Sequence, residues 1–144
     1  MQRLLLALIT LLLTVSLGSA RSGDKGDYDR VESLQSGNQT VVGETINYPR
    51  SDPAQITTLI VTMEPGETTG WHKHGVPLVG YILEGEITTD YGSKGTRIFK
   101  KGDAFLEAMD WRHDARNSGE TPARILVVFI GAEGHQNVVR DATK

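Results

Sequence analysis

From about residue 55 onwards, apolar and polar residues alternate along several short segments that are separated by turns rich in Gly and Pro. A period of two is typical of β-strands with one buried face, and no stretch shows sustained helical periodicity. The pattern predicts strands at residues 55–63, 78–83, 86–91, 96–99, 104–107 and 124–130. Many short strands joined by Gly-rich turns are typical of an all-β sandwich or barrel.

The first 20 residues have a different character. Arg3 precedes an apolar run from Leu4 to Val15, and small residues follow it up to Ala20. This order is typical of a secretory signal peptide, and the run is short for a membrane span. We therefore expect residues 1–20 to be a signal peptide and the protein to be periplasmic or secreted, with no membrane attachment after cleavage.

Two further segments follow the predicted signal peptide. Residues 21–38 are polar and rich in Gly, Ser and Asp, so we expect a flexible N-terminal arm with little to bury. The remaining residues, 39–144, have a length that suits one domain with one core.

Composition excludes several classes of function. The chain has 15 Lys and Arg against 18 Asp and Glu, a formal net charge of −3, which does not favour nucleic acid or anionic lipid as a partner. It contains no cysteine, so disulfides, thiolate metal sites and cysteine nucleophiles cannot occur.

Three of the four histidines stand in a pattern that suits metal binding. His72 and His74 are two residues apart, so on a strand both side chains point to the same face. His113, about forty residues later, could supply a third imidazole from a neighbouring strand. Three converging nitrogens can hold a divalent first-row metal with positions left open, and the sequence does not choose among Fe, Mn, Ni, Zn and Cu.

Two motifs containing these histidines resemble those of the cupin superfamily of small barrels. The first, G-x5-H-x-H-x3-E-x6-G, is matched by Gly66, His72, His74 and Gly85. The second, G-x5-P-x-G-x2-H-x3-N, is matched by Gly102, His113 and Asn117, with Ala108 in place of the proline and Asp110 in place of the glycine. The resemblance implies a double-stranded β-helix, or jelly-roll barrel, with His72, His74 and His113 as metal ligands.

The chain departs from the family pattern where the first motif has a metal-binding glutamate, because Leu78 occupies that position. A fourth ligand must then be water or another residue. Glu107 is one candidate, since a carboxylate after the apolar residues 104–106 is unusual without a partner. An inward Glu107 could be a ligand or a catalytic general base, and an outward one would be a plain surface residue.

Alternation also predicts the lining of the barrel. If Leu78 faces inward, Gly80 and Ile82 do too, and a leucine with a glycine suggests a roomy, apolar cavity. Trp71 and Lys73 would point away from the histidines, towards the barrel exterior or a subunit contact.

The remaining polar candidates have open roles. Asn117 could orient a metal-binding residue by a hydrogen bond, or it could make a purely structural hydrogen bond, and the sequence does not choose between these roles. His135 is expected to be exposed in the polar tail. Trp111 and Arg112 could rim the mouth of the cavity or pack on the surface.

The resemblance implies an enzyme that binds a divalent metal and a small organic molecule, similar to dioxygenases that oxidise enolisable compounds. A neutral three-His set around a cation would favour an anionic ligand. The alternative is a non-catalytic periplasmic module that holds a metal or small ligand. The resemblance also implies that the domain could form a homodimer, for which the sequence offers only the Tyr81 and Trp71 face.

Overall fold

The computed structural model describes residues 32–48 and 52–140. The predicted signal peptide and most of the predicted arm lie outside the described residues. Every described strand belongs to one compact unit, Ser33–Lys144. In the described part of the chain, no helix is long and apolar enough to cross a membrane.

The described residues form an all-β jelly roll. Seven strands follow in chain order, and a short 3-10 helix, Gly92–Lys94, separates the third from the fourth. All six predicted strands are present, with bounds that differ by at most two residues at either end. The strands are β1 (Ala54–Met63), β2 (Leu78–Glu84), β3 (Glu86–Asp90), β4 (Thr96–Lys100), β5 (Ala104–Leu106), β6 (Asp114–Arg116) and β7 (Ala123–Ala132).

The strands build two antiparallel sheets. One has the order β1-β7-β2-β5 and the other the order β4-β3-β6. The sequence pattern missed β6, because three residues are too few to show an alternation. This short strand begins directly after His113 and pairs with β3, so it helps to position His113.

The core lies between the inward faces of the two sheets, as the alternation predicts. In β7, Ile125, Val127 and Phe129 are buried while the residues between them are only partly so. In β2, Leu78 and Ile82 are buried in the same way. The period-two pattern of the sequence therefore corresponds to the real inward face.

Gly80 is also inward, but the expectation that it leaves open space is wrong. A Cβ at this position would lie 2.6 Å from Cε2 and 2.8 Å from Cε1 of Phe105. The Phe105 ring stacks on Phe99 with the ring centroids 4.1 Å apart. The glycine is thus a place where an aromatic ring crosses the strand, not an empty part of the cavity.

Candidate metal centre

Backbone pairing places His72 and His113 side by side. The His72 amide donates to the His113 carbonyl at 3.0 Å, and the His113 amide donates to the His72 carbonyl at 2.9 Å. Directly opposed residues of an antiparallel pair have their side chains on the same face. The amide of His74, two residues on, donates to the Met109 carbonyl at 2.8 Å and keeps the segment extended.

The three imidazoles converge. One ring nitrogen from each of His72, His74 and His113 lies within 4.8 Å of the other two. The ring centroids are 4.5 to 5.0 Å apart, and all three side chains are buried. No other group of three or more metal-ligating side chains occurs among the described residues.

Hydrogen bonds fix the tautomer of each ring. Nδ1 of His72 contacts the Gly70 carbonyl at 2.7 Å, Nδ1 of His74 contacts the Asn137 carbonyl at 3.0 Å, and Nδ1 of His113 contacts the Trp111 carbonyl at 2.9 Å. A carbonyl only accepts, so each Nδ1 must carry the proton and donate it. Each Nε2 is therefore left with a lone pair, which is the arrangement that metal-binding histidines adopt. The residues present fit a divalent cation.

Electrostatics also favour neutral rings. Burial lowers the pKa of His74 to about 3, and the neighbouring His113 and His72 act in the same direction. Burial likewise lowers the pKa of His72 and of His113, although their carbonyl partners oppose the shift. Neutral imidazoles do not need to lose a proton before they bind a metal ion.

The histidines face a cavity of about 370 Å³. The side chains that line it are mainly aliphatic and aromatic, as expected from the inward face of the strands, and Leu78 is among these lining residues. No carboxylate therefore occupies the position where the family pattern has glutamate.

Glu107 points inward, but it is not part of the three-histidine group. It is 6% exposed, and its Oε1 accepts hydrogen bonds from the Tyr91 hydroxyl at 2.8 Å and the Ala108 amide at 2.7 Å. Burial raises the pKa of Glu107 to about 7, and burial with the nearby Glu107 charge raises the pKa of Tyr91. Glu107 does not line the cavity, so its role as a catalytic group stays a prediction.

Asn117 makes structural hydrogen bonds. Its Nδ2 donates to the carbonyls of Met63 and Thr121, both at 2.8 Å, and its Oδ1 accepts from the Gly119 amide at 2.9 Å. The contacts with Thr121 and Gly119 close the turn between β6 and β7, the contact with Met63 ties that turn to the end of β1, and none involves the three histidines. His135 is exposed as expected, with Nε2 3.0 Å from a carboxylate oxygen of Asp52.

The side chains between and beside the histidines point outward. Trp71 is 43% exposed, and Lys73 pairs with Asp110 at 3.3 Å. The indole nitrogen of Trp111 donates to the Tyr91 carbonyl at 2.7 Å. Trp111 and Arg112 do not line the cavity, which favours the alternative that they pack on the surface.

Sequence reasoning missed a carboxylate that holds the loop before His113. The two oxygens of Glu44 accept hydrogen bonds from the Met109 amide at 2.8 Å and the Trp111 amide at 3.0 Å. The carbonyls of these same two residues bind the His74 amide and His113 Nδ1. Glu44 lies 65 residues from Met109 in the chain, and no local pattern marks it.

Sequence reasoning also missed the segment 134–140, which we call the C-terminal strap. Lys73 and Val139 exchange backbone hydrogen bonds at 3.1 and 2.8 Å, which places the strap beside the histidine segment. Asn137 then supplies the carbonyl for His74, while Val138 and Arg140 join the cavity wall. The polar, Gly-containing sequence showed no sign of this role.

Comparisons with known proteins agree with this architecture. The family model described as Cupin domain matches residues 59–129. The oxalate decarboxylase of Lactobacillus farciminis, solved as its formate complex, is 23% identical with a TM-score of 0.52, over 60% of this chain and 26% of that one. The polyketide cyclase RemF of Streptomyces resistomycificus is 19% identical with a TM-score of 0.53, over 71% and 70%.

These similarities are to the fold, and the chain spans only about a quarter of the length of the decarboxylase. A search of curated proteins found no match. The family model, the jelly-roll neighbours and the two histidine-bearing segments nevertheless agree with one another. The chain thus contains a cupin domain, which the family model places at residues 59–129.

Proposed function

We propose that the protein is an enzyme that binds one divalent metal ion through His72, His74 and His113 and acts on a small organic molecule in the adjoining cavity. The observation that carries this proposal is that three buried ring nitrogens lie within 4.8 Å of one another, with each Nδ1 bound to a backbone carbonyl. A cation there would act as a Lewis acid with coordination positions left open for substrate and for dioxygen or water.

The protein's own contribution is to fix the ligands and to exclude water. Carbonyls on three different segments orient the rings, and apolar walls surround the place where a ligand would lie. A cavity of this size takes only a small molecule with an apolar body. An oxygen-dependent oxidation of an enolisable compound is the reaction class we propose.

Metal binding is tested first by elemental analysis and zinc titration of His74→Ala beside His135→Ala. His74 is buried in the group of three, whereas His135 is exposed and lies outside it. We expect the first variant to lose most of its metal while the barrel stays folded, and the second to match the wild type. Unchanged metal content in His74→Ala would refute the ligand assignment.

Catalysis is tested by metal-dependent oxygen consumption on a panel of enolisable carbonyl compounds. We expect turnover by the wild type that disappears with chelation and with His74→Ala. The presence of Leu78 where the family pattern has glutamate favours a second candidate, a non-catalytic module that retains a metal or small ligand. A tightly held ligand in the purified protein without turnover would favour that module.

Export and self-association are further parts of the proposal. The apolar run that begins at Leu4 supports a periplasmic or secreted location, which fractionation of the expressing cells would test. Ile56 and Ile60 are exposed on β1, at the end of the four-stranded sheet, and they support a homodimer. Light scattering of the purified protein would measure the mass of the assembly.

A further inference from the structure

The cavity wall carries one residue with a fixed positive charge. Of the described residues that line the cavity, Arg140 is the only Lys or Arg, and Glu67 is the only acid. Most of the remaining wall is apolar. A guanidinium beside an apolar cavity is an arrangement that selects for an anionic group on a ligand.

The C-terminal strap fixes where Arg140 lies. Backbone hydrogen bonds between Lys73 and Val139 set the register of the strap immediately before it. The Arg140 side chain then donates from Nη1 to the Thr69 carbonyl at 2.8 Å. A guanidinium has five N–H donors in a planar fork, so this single bond leaves donors for a ligand.

Glu67 does not cancel this charge by pairing with it. Its Oε2 accepts a hydrogen bond from the Glu64 amide at 2.8 Å, across a tight turn. The Glu67 carboxylate therefore makes its hydrogen bond within its own turn, while the Arg140 guanidinium donates to the Thr69 carbonyl.

We propose that Arg140 binds a carboxylate at one end of a ligand whose other end is held at the three-histidine group. This proposal rests on the proposed function, because it needs a metal at His72, His74 and His113. The ligand class is then a short molecule with a metal-chelating group, a small apolar body and a carboxylate. One guanidinium matches one carboxylate through two parallel hydrogen bonds.

The test uses zinc-loaded protein and a series of alkane hydroxamic acids of graded length that end in a carboxylate, each paired with its methyl ester. The hydroxamate chelates zinc in both members of a pair, so only the distant charge differs. Isothermal titration would measure the dissociation constants for the wild type, Arg140→Gln, Arg140→Lys and Arg124→Gln. Arg124 is the matched control, since it pairs with Glu84 and does not line the cavity.

We expect the wild type to bind the best acid about 5- to 50-fold more tightly than its ester, with the preference weakening as salt is added. Arg140→Gln should remove the preference and leave ester binding unchanged. Arg140→Lys should retain part of it, and Arg124→Gln should behave as the wild type.

Equal binding of acid and ester by the wild type would overturn the role of Arg140 while leaving the metal site and cavity in place. The same holds if Arg140→Gln keeps the preference. If neither compound binds the zinc-loaded wild type, the proposed function itself fails, and this inference fails with it. Melting temperatures of all variants would show that they are folded.

Discussion

Glu44 provides a direct test of whether residues remote from the histidines shape the metal site. Its carboxylate accepts from the amides of Met109 and Trp111, and its Oε2 also accepts from the Thr40 hydroxyl at 3.1 Å. The loop held in this way supplies the carbonyls that bind the His74 amide and His113 Nδ1. Loss of Glu44 should therefore free the loop at residues 109–111, whose carbonyls hold the His74 amide and the His113 ring.

The expected loss of folding stability in Glu44→Ala can be calculated from these contacts. A hydrogen bond to a charged group contributes about 1.5 to 3 kcal/mol, and Glu44→Ala removes two that are made to backbone amides. Because the contacts are only partly buried, water replaces part of the loss, and we expect the free energy of unfolding to fall by about 2 to 3 kcal/mol. Supporting hydrogen bonds of this kind typically change metal affinity about 10- to 100-fold.

Glu44→Gln sharpens the test because it keeps the size of the side chain. An amide has one accepting oxygen, so its NH₂ group would face one of the two amide donors. We expect this variant to lose nearly as much zinc affinity as Glu44→Ala. Glu120→Gln, at an exposed position, makes the same change in charge and should have no effect.

The assay is competition for zinc against a chromophoric chelator, with the absorption spectrum of the cobalt-loaded protein as a second measurement. A change in the cobalt spectrum would report altered ligand geometry, which a general loss of stability does not produce. Near-ultraviolet circular dichroism would establish that each variant is folded under the conditions used. Zinc dissociation constants for both Glu44 variants within threefold of the wild type would refute the reasoning.

Three further predictions concern inward-facing positions. Leu78→Glu should place a carboxylate on the cavity wall and raise zinc affinity at least about tenfold, whereas Leu78→Gln should not raise it. Equal zinc titration curves for Leu78→Glu and the wild type would show that this position does not reach the metal. Gly80→Ala should lower the free energy of unfolding, measured by urea denaturation, by about 1 to 3 kcal/mol, because the added Cβ would overlap the Phe105 ring. Gly37→Ala should not lower it, since a Cβ at that position would make only ordinary van der Waals contacts. Native Glu107 keeps its proton up to about pH 7, whereas the unfolded chain releases it near 4.5, so metal-free protein should lose stability across this window. Glu107→Gln should therefore gain about 2 to 3 kcal/mol relative to the wild type between pH 5 and pH 8, and a pH-independent difference in urea denaturation would contradict the assignment.

The sequence predicted the strands well because strand burial has a local signature. An alternation of apolar and polar residues records which side of a strand is buried, whatever the strand packs against. The shared face of His72 and His74 follows from the same parity. The position of His113 came from the family motif, and the backbone pairing of His72 with His113 then brings the rings together.

Other features of the site depend on contacts between residues far apart in the chain. The direction of Glu107 could not be read through the following turn, and the structure turns it towards Tyr91. Gly80 looked like empty space until the Phe105 ring was placed against it.

By itself, then, the sequence determined the β-rich class, the inward faces of the strands and three histidines suited to a metal. Only the tertiary structure decided what orients those histidines, because their partners are backbone carbonyls and amides that carry no side-chain signature. The Asn137 carbonyl lies 63 residues from His74, and the Glu44 carboxylate lies 67 residues from the Trp111 amide that it binds. Such contacts form when the closing barrel brings the strap and the N-terminal segment against the histidine strands, and no local periodicity encodes them.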